Sequence, residues 1–361
     1  MAEDKSRRNG RPIGAQPRVP ARGRPVTMRD IARETGLSQS TVSRVLNRRP
    51  TVIPIGEETR ERVVATARAL GYRPNPLARG LRGSSTMLLG VIVREITDPF
   101  FAGAIEAVTA AAAQRGYNVV LGHAHARAEE AITLWGVLEA RHCDAILLLG
   151  DMRDQPRLLQ DLSGEHVPVV ALWQGAHPTE VPCVAVDNHA GVRTVLEHLT
   201  GLGHRRIAFV GGRRLGDIKE REEAFVQYHR DADRPLSAEY QQLGLHDASG
   251  AIGALERLLE LPEPPTAVVA ATDVLAIGLL HAADLHGLRV PEELSITGFD
   301  DIPMAAYTVP ALTTMRMPVG DMVDHALRLA LDDAEDVADQ PIPVLQSSLV
   351  VRSSTGRPAK G

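Results

Sequence analysis

The chain has 361 residues, which is enough for two or three domains with a substantial buried core. Aromatic residues make up only 3%, and this argues against the base-stacking platform of an RNA-binding module. No segment approaches the roughly 18 consecutive apolar residues of a membrane-spanning helix. Because the N-terminus also lacks the apolar segment of a signal peptide, we expect a soluble, cytoplasmic protein.

The net charge of −5 is distributed unevenly along the chain. Residues 1–82 contain 18 basic and 7 acidic side chains, a net charge of +11, whereas the remainder contains 22 basic and 38 acidic ones. A basic head on an acidic body is typical of a protein that binds phosphates at one end. Residues 1–26 are rich in Arg, Pro and Gly, which predicts a disordered basic tail. Its ARGRP segment is either a minor-groove AT-hook or a purely electrostatic contact.

Two short helices joined by a tight turn are predicted to begin at Thr27. Thr27 is a suitable N-cap for the first helix, with Asp30 as the acidic partner of a capping box. Gly36 can adopt the positive φ that ends this helix, and Ser38 can cap the next one. A third helix is predicted over Glu57–Leu70. The three helices form a predicted domain over residues 27–73.

The second of these helices has two different faces. Its apolar face is made by Val42, Val45 and Leu46. Its outer face is short, polar and rich in hydrogen-bond donors, which suits base edges and phosphates, and comprises Gln39, Ser40, Ser43 and Arg44. A generic helical hairpin would share the apolar pattern, but the outer face favours a helix-turn-helix that binds DNA.

From Met87 onward, short apolar runs alternate with helical segments, which indicates βαβ units and parallel sheets. The clearest predicted helices are Phe101–Arg115, Asn188–Leu202, Lys219–Asp231 and Asp273–His286. There is no GxGxxG or GxxxxGK[ST] phosphate loop, no GxSxG elbow and no HExxH pair. The sequence therefore predicts no cofactor and no enzyme, although a solute-binding protein and an enzyme on a doubly wound fold remain rival interpretations.

Ligands of open α/β sheets bind beyond the carboxyl ends of the strands. Four of the predicted strands are followed by charged, polar or aromatic residues that could contact a ligand. An aromatic platform, a guanidinium and a carboxylate together commonly hold a sugar. The residues expected to line this site are Arg94, Phe100, Phe101, Trp173, Arg221, Thr272 and Asp300. His123 and His125 lie at another strand end, but no ligand partner at metal-binding spacing accompanies them, so no metal is predicted. Cys143 and Cys183 are expected to be idle thiols.

Several of these segments together resemble the lactose/galactose repressor (LacI-type) family of bacterial transcription factors. The resemblance rests on Thr27, the DIA at 30–32, GLS at 36–38, TVSRVLN at 41–47, GEETRERV at 56–63 and LGYRPNPLARGLR at 70–82. It implies a hinge helix over 74–83, which folds when two copies pair in the minor groove; a plain linker is the alternative. It also implies two lobes of the type I periplasmic-binding-protein fold within residues 84–361, near 87–186 plus 317–340 and 187–316 plus the C-terminal strand.

The resemblance also assigns roles on DNA. Gln39, Ser40 and Arg44 are expected to read bases in the major groove. Phosphate contacts are expected from Thr27, Ser38, Thr41, Ser43 and Asn47. In the hinge, Leu81 is expected to act as the apolar wedge that opens the central base step, with Ala78 beside it. Tyr72 and Asn75 are also expected to contact DNA. We expect a homodimer on pseudo-palindromic operator DNA, and the absence of a C-terminal leucine heptad repeat argues against a tetramer.

In the cleft, the resemblance marks Arg221 and Asp300 as contacts of a small-molecule effector, a sugar or a sugar derivative. Arg94 stands where the family usually has proline and adds a second positive charge. This second charge indicates either an anionic effector, such as a sugar acid or sugar phosphate, or an internal charge balance of the two arginines with Glu95, Asp98 and Asp300.

Overall fold

The computed structural model describes residues 26–46, 55–72, 85–151, 167–173, 181–212, 216–232, 236–245, 247–332 and 344–359. The chain divides into two compact units, with the boundary between Asn75 and Pro76. The expected hinge helix at 74–83 and nearly all of the basic tail at 1–26 lie outside the described residues. None of the helices in the described ranges is long and apolar enough to cross a membrane.

The N-terminal unit contains three helices, α1 (Met28–Thr35), α2 (Gln39–Leu46) and α3 (Glu57–Ala69). Their apolar faces meet in a small core of fully or almost fully buried side chains, Ile31, Val42, Val45, Val63 and Ala67. The helical spacing of these residues predicted that core. The helix-turn-helix is therefore confirmed.

The predicted caps explain where α1 and α2 begin and end. The backbone N–H of Thr27 donates to the Asp30 carboxylate at 2.9 Å, and the Thr27 hydroxyl donates to it at 2.7 Å. Gly36 adopts φ 69°, a conformation in which a side chain would be strained, and this ends α1. The Ser38 hydroxyl accepts from the N–H of Thr41 at 3.1 Å and so caps α2.

The second unit consists of two lobes, each built on one six-stranded sheet. In the first lobe the strands are β1 (Leu88–Val93), β2 (Asn118–His123), β3 (Ala145–Leu149), β4 (Val169–Leu172), β5 (Cys183–Val186) and β11 (Val344–Leu345). Its helices are α4 (Pro99–Gln114), α5 (Ala128–Ala140) and α10 (Val319–Leu331). The strand order is β11-β5-β4-β3-β1-β2, and all neighbouring pairs are parallel.

The second lobe repeats this plan. Its strands are β6 (Ile207–Val210), β7 (Gln241–Gln242), β8 (Ala267–Ala270), β9 (Ser295–Asp300), β10 (Thr313–Arg316) and β12 (Ser348–Val350). Its helices are α6 (Asn188–Leu202), α7 (Gly216–Asp231), α8 (Ala248–Leu259) and α9 (Asp273–Leu285). The order is β12-β10-β9-β8-β6-β7, with only the pair of β10 and β12 antiparallel among the described strands.

The chain passes between the lobes three times, between β5 and α6, between β10 and α10, and between β11 and β12. This topology confirms the predicted two-lobed α/β body. The predicted start of α7 was Lys219, but the helix begins three residues earlier, at Gly216, which has a positive φ of 45°. Similarly, α4 begins at Pro99 rather than Phe101, because Asp98 is its N-cap and proline is favourable in a first helical turn.

The central strands of both sheets are covered on both faces, and this explains their unbroken apolar sequences. All five residues of β3 are buried, as are all four residues of β6 and of β8. Helices α8 and α9 pack closely where Gly278 faces Ala248. The covered sheets hold the carboxyl ends of β1, β3, β4, β8 and β9 in fixed positions.

Candidate functional site

The outer face of α2 presents the residues that were predicted to read DNA. Gln39, Ser40 and Arg44 are exposed, whereas Val42 and Val45 are buried against the other helices. Around them, Thr27, Thr41 and Ser43 are half-buried and Ser38 is exposed. The Ser38 hydroxyl also lies 2.7 Å from that of Ser40 and 2.8 Å from that of Thr41, so this face carries a connected cluster of hydroxyl groups.

Of the remaining residues predicted to contact DNA, only Tyr72 lies within the described ranges. Tyr72 is half-buried against the core of the N-terminal unit, and its N–H donates to the carbonyl of Ala67 at 2.9 Å. It therefore serves the fold of this unit. The other four, Asn47, Asn75, Ala78 and Leu81, lie outside the described residues.

In the second unit, all seven residues predicted to bind the effector line a single cavity that is partly open to solvent. The first lobe contributes the ends of β1, β3 and β4 and the start of α4. The second lobe contributes α7 and the ends of β8 and β9. The complete lining is Arg94, Asp98, Phe100, Phe101, Gly150, Asp151, Trp173, Asp217, Ile218, Arg221, Thr272 and Asp300.

Arg221 is the most constrained side chain of this cavity, and only 3% of it is exposed. Its Nε donates to Asn188 Oδ1 at 2.9 Å, and its Nη1 donates to the Ala271 carbonyl at 2.7 Å and to Asp300 Oδ1 at 3.2 Å. Its guanidinium carbon lies 3.7 Å from the centre of the Phe299 ring, a close cation–π contact. These contacts fix the guanidinium plane before any ligand arrives.

The carboxylates of the cavity are poorly solvated. Burial raises the pKa of Asp300 well above its ordinary value, although the Arg221 guanidinium acts in the opposite direction. Burial likewise raises the pKa of Asp98, whose carboxylate accepts from the N–H of Phe100 at 3.0 Å as the N-cap of α4. Hydrogen bonds from ligand hydroxyls would compensate for this lost hydration, so the arrangement suits a polyhydroxylated ligand.

Three aromatic rings form the wall of the cavity in the first lobe. The ring centres of Phe100 and Trp173 are 5.1 Å apart, and those of Phe100 and Phe101 are 5.4 Å apart, both edge to face. Gly150, at φ 87°, permits this packing, since a Cβ there would lie 2.6 Å from the Phe101 ring. Trp173 itself adopts φ 60°, an uncommon backbone conformation for a residue of its size.

Not every polar residue at these strand ends faces the cavity. The Thr272 hydroxyl lines it and also caps α9 by accepting from the N–H of Leu275. Asp273 is fully buried, accepts from the Thr314 hydroxyl at 2.5 Å and the Ile302 N–H at 2.8 Å, and has its pKa raised by burial to about 7. Asp273 therefore holds β9, β10 and α9 together and is not among the lining residues.

Five lining residues were outside the predicted set, namely Asp98, which had been considered only as a charge partner of Arg94, and Gly150, Asp151, Asp217 and Ile218. Gly150 and Asp151 follow β3, so the rule that directed attention to the other strand ends applies to them as well. Asp217 lies one helical turn before Arg221, and its carboxylate is 3.9 Å from the guanidinium. That pairing is detectable only once α7 is known to begin at Gly216.

His123 and His125 stack on each other with ring centres 3.8 Å apart. Each lies near one glutamate, with His123 Nε2 3.2 Å from Glu95 and His125 Nε2 3.8 Å from Glu130. Within the described ranges there is no group of three or more side chains suited to a metal ion. Cys143 and Cys183 form no disulfide, and burial raises the pKa of Cys143 to about 11, which keeps this thiol protonated and unreactive.

Comparison with known proteins agrees with both units. A model of the lacI family of bacterial regulatory proteins matches residues 27–75, and a periplasmic binding protein-like domain matches residues 196–355. The HTH-type transcriptional regulator GalS of Salmonella typhimurium is 34% identical over 316 residues, which are 87% of this chain and 92% of that protein. The chain belongs to the LacI family.

Two solved structures of transcriptional regulators extend the match over nearly the whole chain. The lac repressor dimer bound to operator and the anti-inducer ONPF superposes with a TM-score of 0.81 at 27% identity, covering 92% of this chain and all of that one. The complex of the transcriptional regulator CelR with cellobiose gives a TM-score of 0.65 at 28% identity, covering 91% and 99% of the two chains. As a LacI-family member, the chain is a DNA-binding transcriptional regulator without enzymatic activity.

Proposed function

We propose that this LacI-family regulator is a cytoplasmic, homodimeric repressor of carbohydrate-metabolism genes, controlled by a sugar or sugar derivative bound between the lobes. The observation that carries the proposal is the cavity in which the Arg221–Asp300 pair faces an aromatic wall. A guanidinium and a carboxylate fixed opposite aromatic rings provide the hydrogen bonds and the apolar surface on which a sugar is commonly bound. The cellobiose held by the related CelR supports the same ligand class.

Two measurements test this proposal. DNA selected from random sequence by the full chain is expected to contain a pseudo-palindrome, and a gel-shift assay should then show specific binding. A thermal-shift screen of sugars, sugar acids and nucleobases should identify ligands that raise the melting temperature, since a ligand that binds the native fold stabilises it. A soluble solute-binding protein, the alternative function, would respond in the thermal-shift screen but would select no DNA sequence.

The recognition face of α2 gives a prediction for base specificity. Replacing Gln39 with alanine should cost about 1–3 kcal/mol of binding free energy on the cognate operator and relax the preference at one base pair, because glutamine pairs bidentately with adenine. Gel-shift titrations against operators substituted at each position measure both effects. Scrambled DNA serves as the control, and an equal loss of affinity on it would mean that Gln39 does not read sequence.

The dimer gives a second prediction. Met304, Tyr307 and Val309 follow β9 closely, and their side chains are 57%, 80% and 95% exposed, which is unusual for neighbouring large apolar residues. The related lac repressor is a dimer, and we expect a second copy of this chain to cover this apolar surface. Val309→Asp should therefore weaken the dimer by at least tenfold in sedimentation experiments, since it would place a charge in an apolar contact. Val137→Asp, at an exposed position on α5, is the matched control.

The hinge assignment and the wedge role of Leu81 stay predictions. Leu81→Ala should reduce operator bending in a circular-permutation gel assay while leaving salt-sensitive, non-specific binding almost unchanged. An unchanged bend would assign the wedge to another residue.

A further inference from the structure

The two guanidinium groups of the cavity differ in how they are paired. Arg221 is engaged by Asn188, Ala271 and Asp300. Arg94, by contrast, has a buried Nε without a hydrogen-bond partner, and no carboxylate of the described residues forms an ion pair with it. A half-buried guanidinium without an acceptor is uncommon, because its lost hydration is not replaced.

Each of the three carboxylates that the sequence offered as partners of Arg94 has other contacts. Glu95 accepts from the N–H and the hydroxyl of Thr97 at 3.1 and 2.9 Å and lies 3.2 Å from His123. Asp98 caps α4, and Asp300 pairs with Arg221. None of these three carboxylates forms an ion pair with Arg94, and its guanidinium acts on Asp98 only through the electrostatic attraction that, against the larger effect of burial, acts to lower the pKa of that carboxyl.

A second unsatisfied donor lies on the same wall. Only 4% of Trp173 is exposed, and its indole Nε1–H has no hydrogen-bond partner among the described residues. Phe101 links the two donors, since its ring centre is 5.6 Å from the Arg94 guanidinium carbon and 6.2 Å from the Trp173 ring. Two buried N–H donors without acceptors, on two residues that line one cavity, are unusual, because each donor has lost its hydration without a replacement.

We propose that the effector is a polyhydroxylated molecule with an anionic group, a carboxylate or a phosphate, bound by Arg94 and Trp173. Its hydroxyls then lie toward Arg221 and Asp300 at the other end of the cavity. This inference rests on the proposed function. An anionic oxygen group fits because a guanidinium binds carboxylate and phosphate through strong, charge-assisted hydrogen bonds, and a neutral hydroxyl would leave Arg94 without a direct ion pair.

Isothermal titration calorimetry on the full chain tests this with matched ligands. Glucose, galactose and mannose are each titrated as the neutral sugar, the uronic acid and the 6-phosphate. At least one charged form should bind about tenfold or more tightly than its own neutral sugar. Preference for the uronic acid identifies a carboxylate, and preference for the 6-phosphate identifies a phosphate. A neutral sugar that binds at least as tightly as both of its charged forms would overturn the inference.

Three variants locate the effect. Arg94→Gln should weaken the charged ligand by about thirtyfold while changing the neutral sugar less than about threefold. Trp173→Phe, which keeps an aromatic ring but removes the N–H donor, should weaken the charged ligand by about fivefold or more. Arg193→Gln, an exposed position on α6, removes the same charge away from the cavity and should have no effect.

The variants also separate this inference from the function on which it rests. An Arg94→Gln variant that binds the charged ligand like the wild type contradicts the anionic group alone. Failure of every sugar, neutral and charged, to bind the wild type contradicts the inference and the proposed sugar effector together.

Discussion

Replacing Arg221 with alanine should abolish effector binding and lower the free energy of unfolding by about 3–5 kcal/mol, because it leaves the buried Asp300 carboxylate without its partner. The same change removes the donors on which Asn188 and the Ala271 carbonyl depend. Urea denaturation followed by circular dichroism measures the stability. Arg230→Ala, an exposed position on the same helix, is the control and should change it by less than about 0.5 kcal/mol.

A double-mutant cycle distinguishes lost pairing from general damage. If the cost arises from an uncompensated charge, the Arg221→Ala, Asp300→Ala double variant should be less destabilised than the sum of the two single variants. Additive losses would show that the two side chains stabilise the fold independently, and this would contradict the pairing as the cause.

Gly278→Ala should destabilise the second unit by about 1–3 kcal/mol or more, although the same change inside an ordinary helix is favourable. A Cβ at Gly278 would lie 2.2 Å from the Ala248 carbonyl oxygen and 2.8 Å from its Cα, and both are backbone atoms that cannot rotate away. Helices α8 and α9 would have to separate. Thermal unfolding of the purified chain measures the loss.

Gly253→Ala on α8 is the matched control. A Cβ there meets only the mobile end of Arg257 at 3.4 Å, so the variant should gain about 0.5–1 kcal/mol from helix propensity. Equal stability of the two alanine variants would contradict the close approach at Gly278.

The fold was predictable from the sequence where the apolar runs were long or the helical periodicity of apolar residues was clear. The apolar runs that became β1, β3, β6 and β8 are buried on both faces, and helix α6 has the predicted bounds. Strand β10 was missed because its sequence, Thr-Thr-Met-Arg, is polar. Asp273 and Ser354 satisfy the hydroxyl of Thr314 and the N–H of Thr313 respectively, and such long-range partners are invisible in a local pattern.

The candidate site was predictable to the level of which strand ends meet. The rule about carboxyl ends of parallel strands predicts that Arg94, Trp173 and Asp300 meet at one cavity, and they do. The same rule could not predict which carboxylates at the strand ends face the cavity and which point away from it. Asp301 adopts φ 56° and pairs with Arg316 and Arg352, while its neighbour Asp300 faces Arg221, and this choice depends on the backbone of a single turn.

Asn188 gives the Arg221 cluster a second role. It is the first residue of α6, directly after the first passage between the lobes, and it accepts from Arg221 while donating to Glu220 at 2.7 Å. A ligand that forms hydrogen bonds with Arg221 therefore perturbs the hydrogen bonds of the segment that joins the lobes. If two lobe arrangements differ in these bonds, effector and operator are allosterically coupled, and the coupling is reciprocal. Whatever factor the effector imposes on operator affinity, operator DNA must impose on effector affinity.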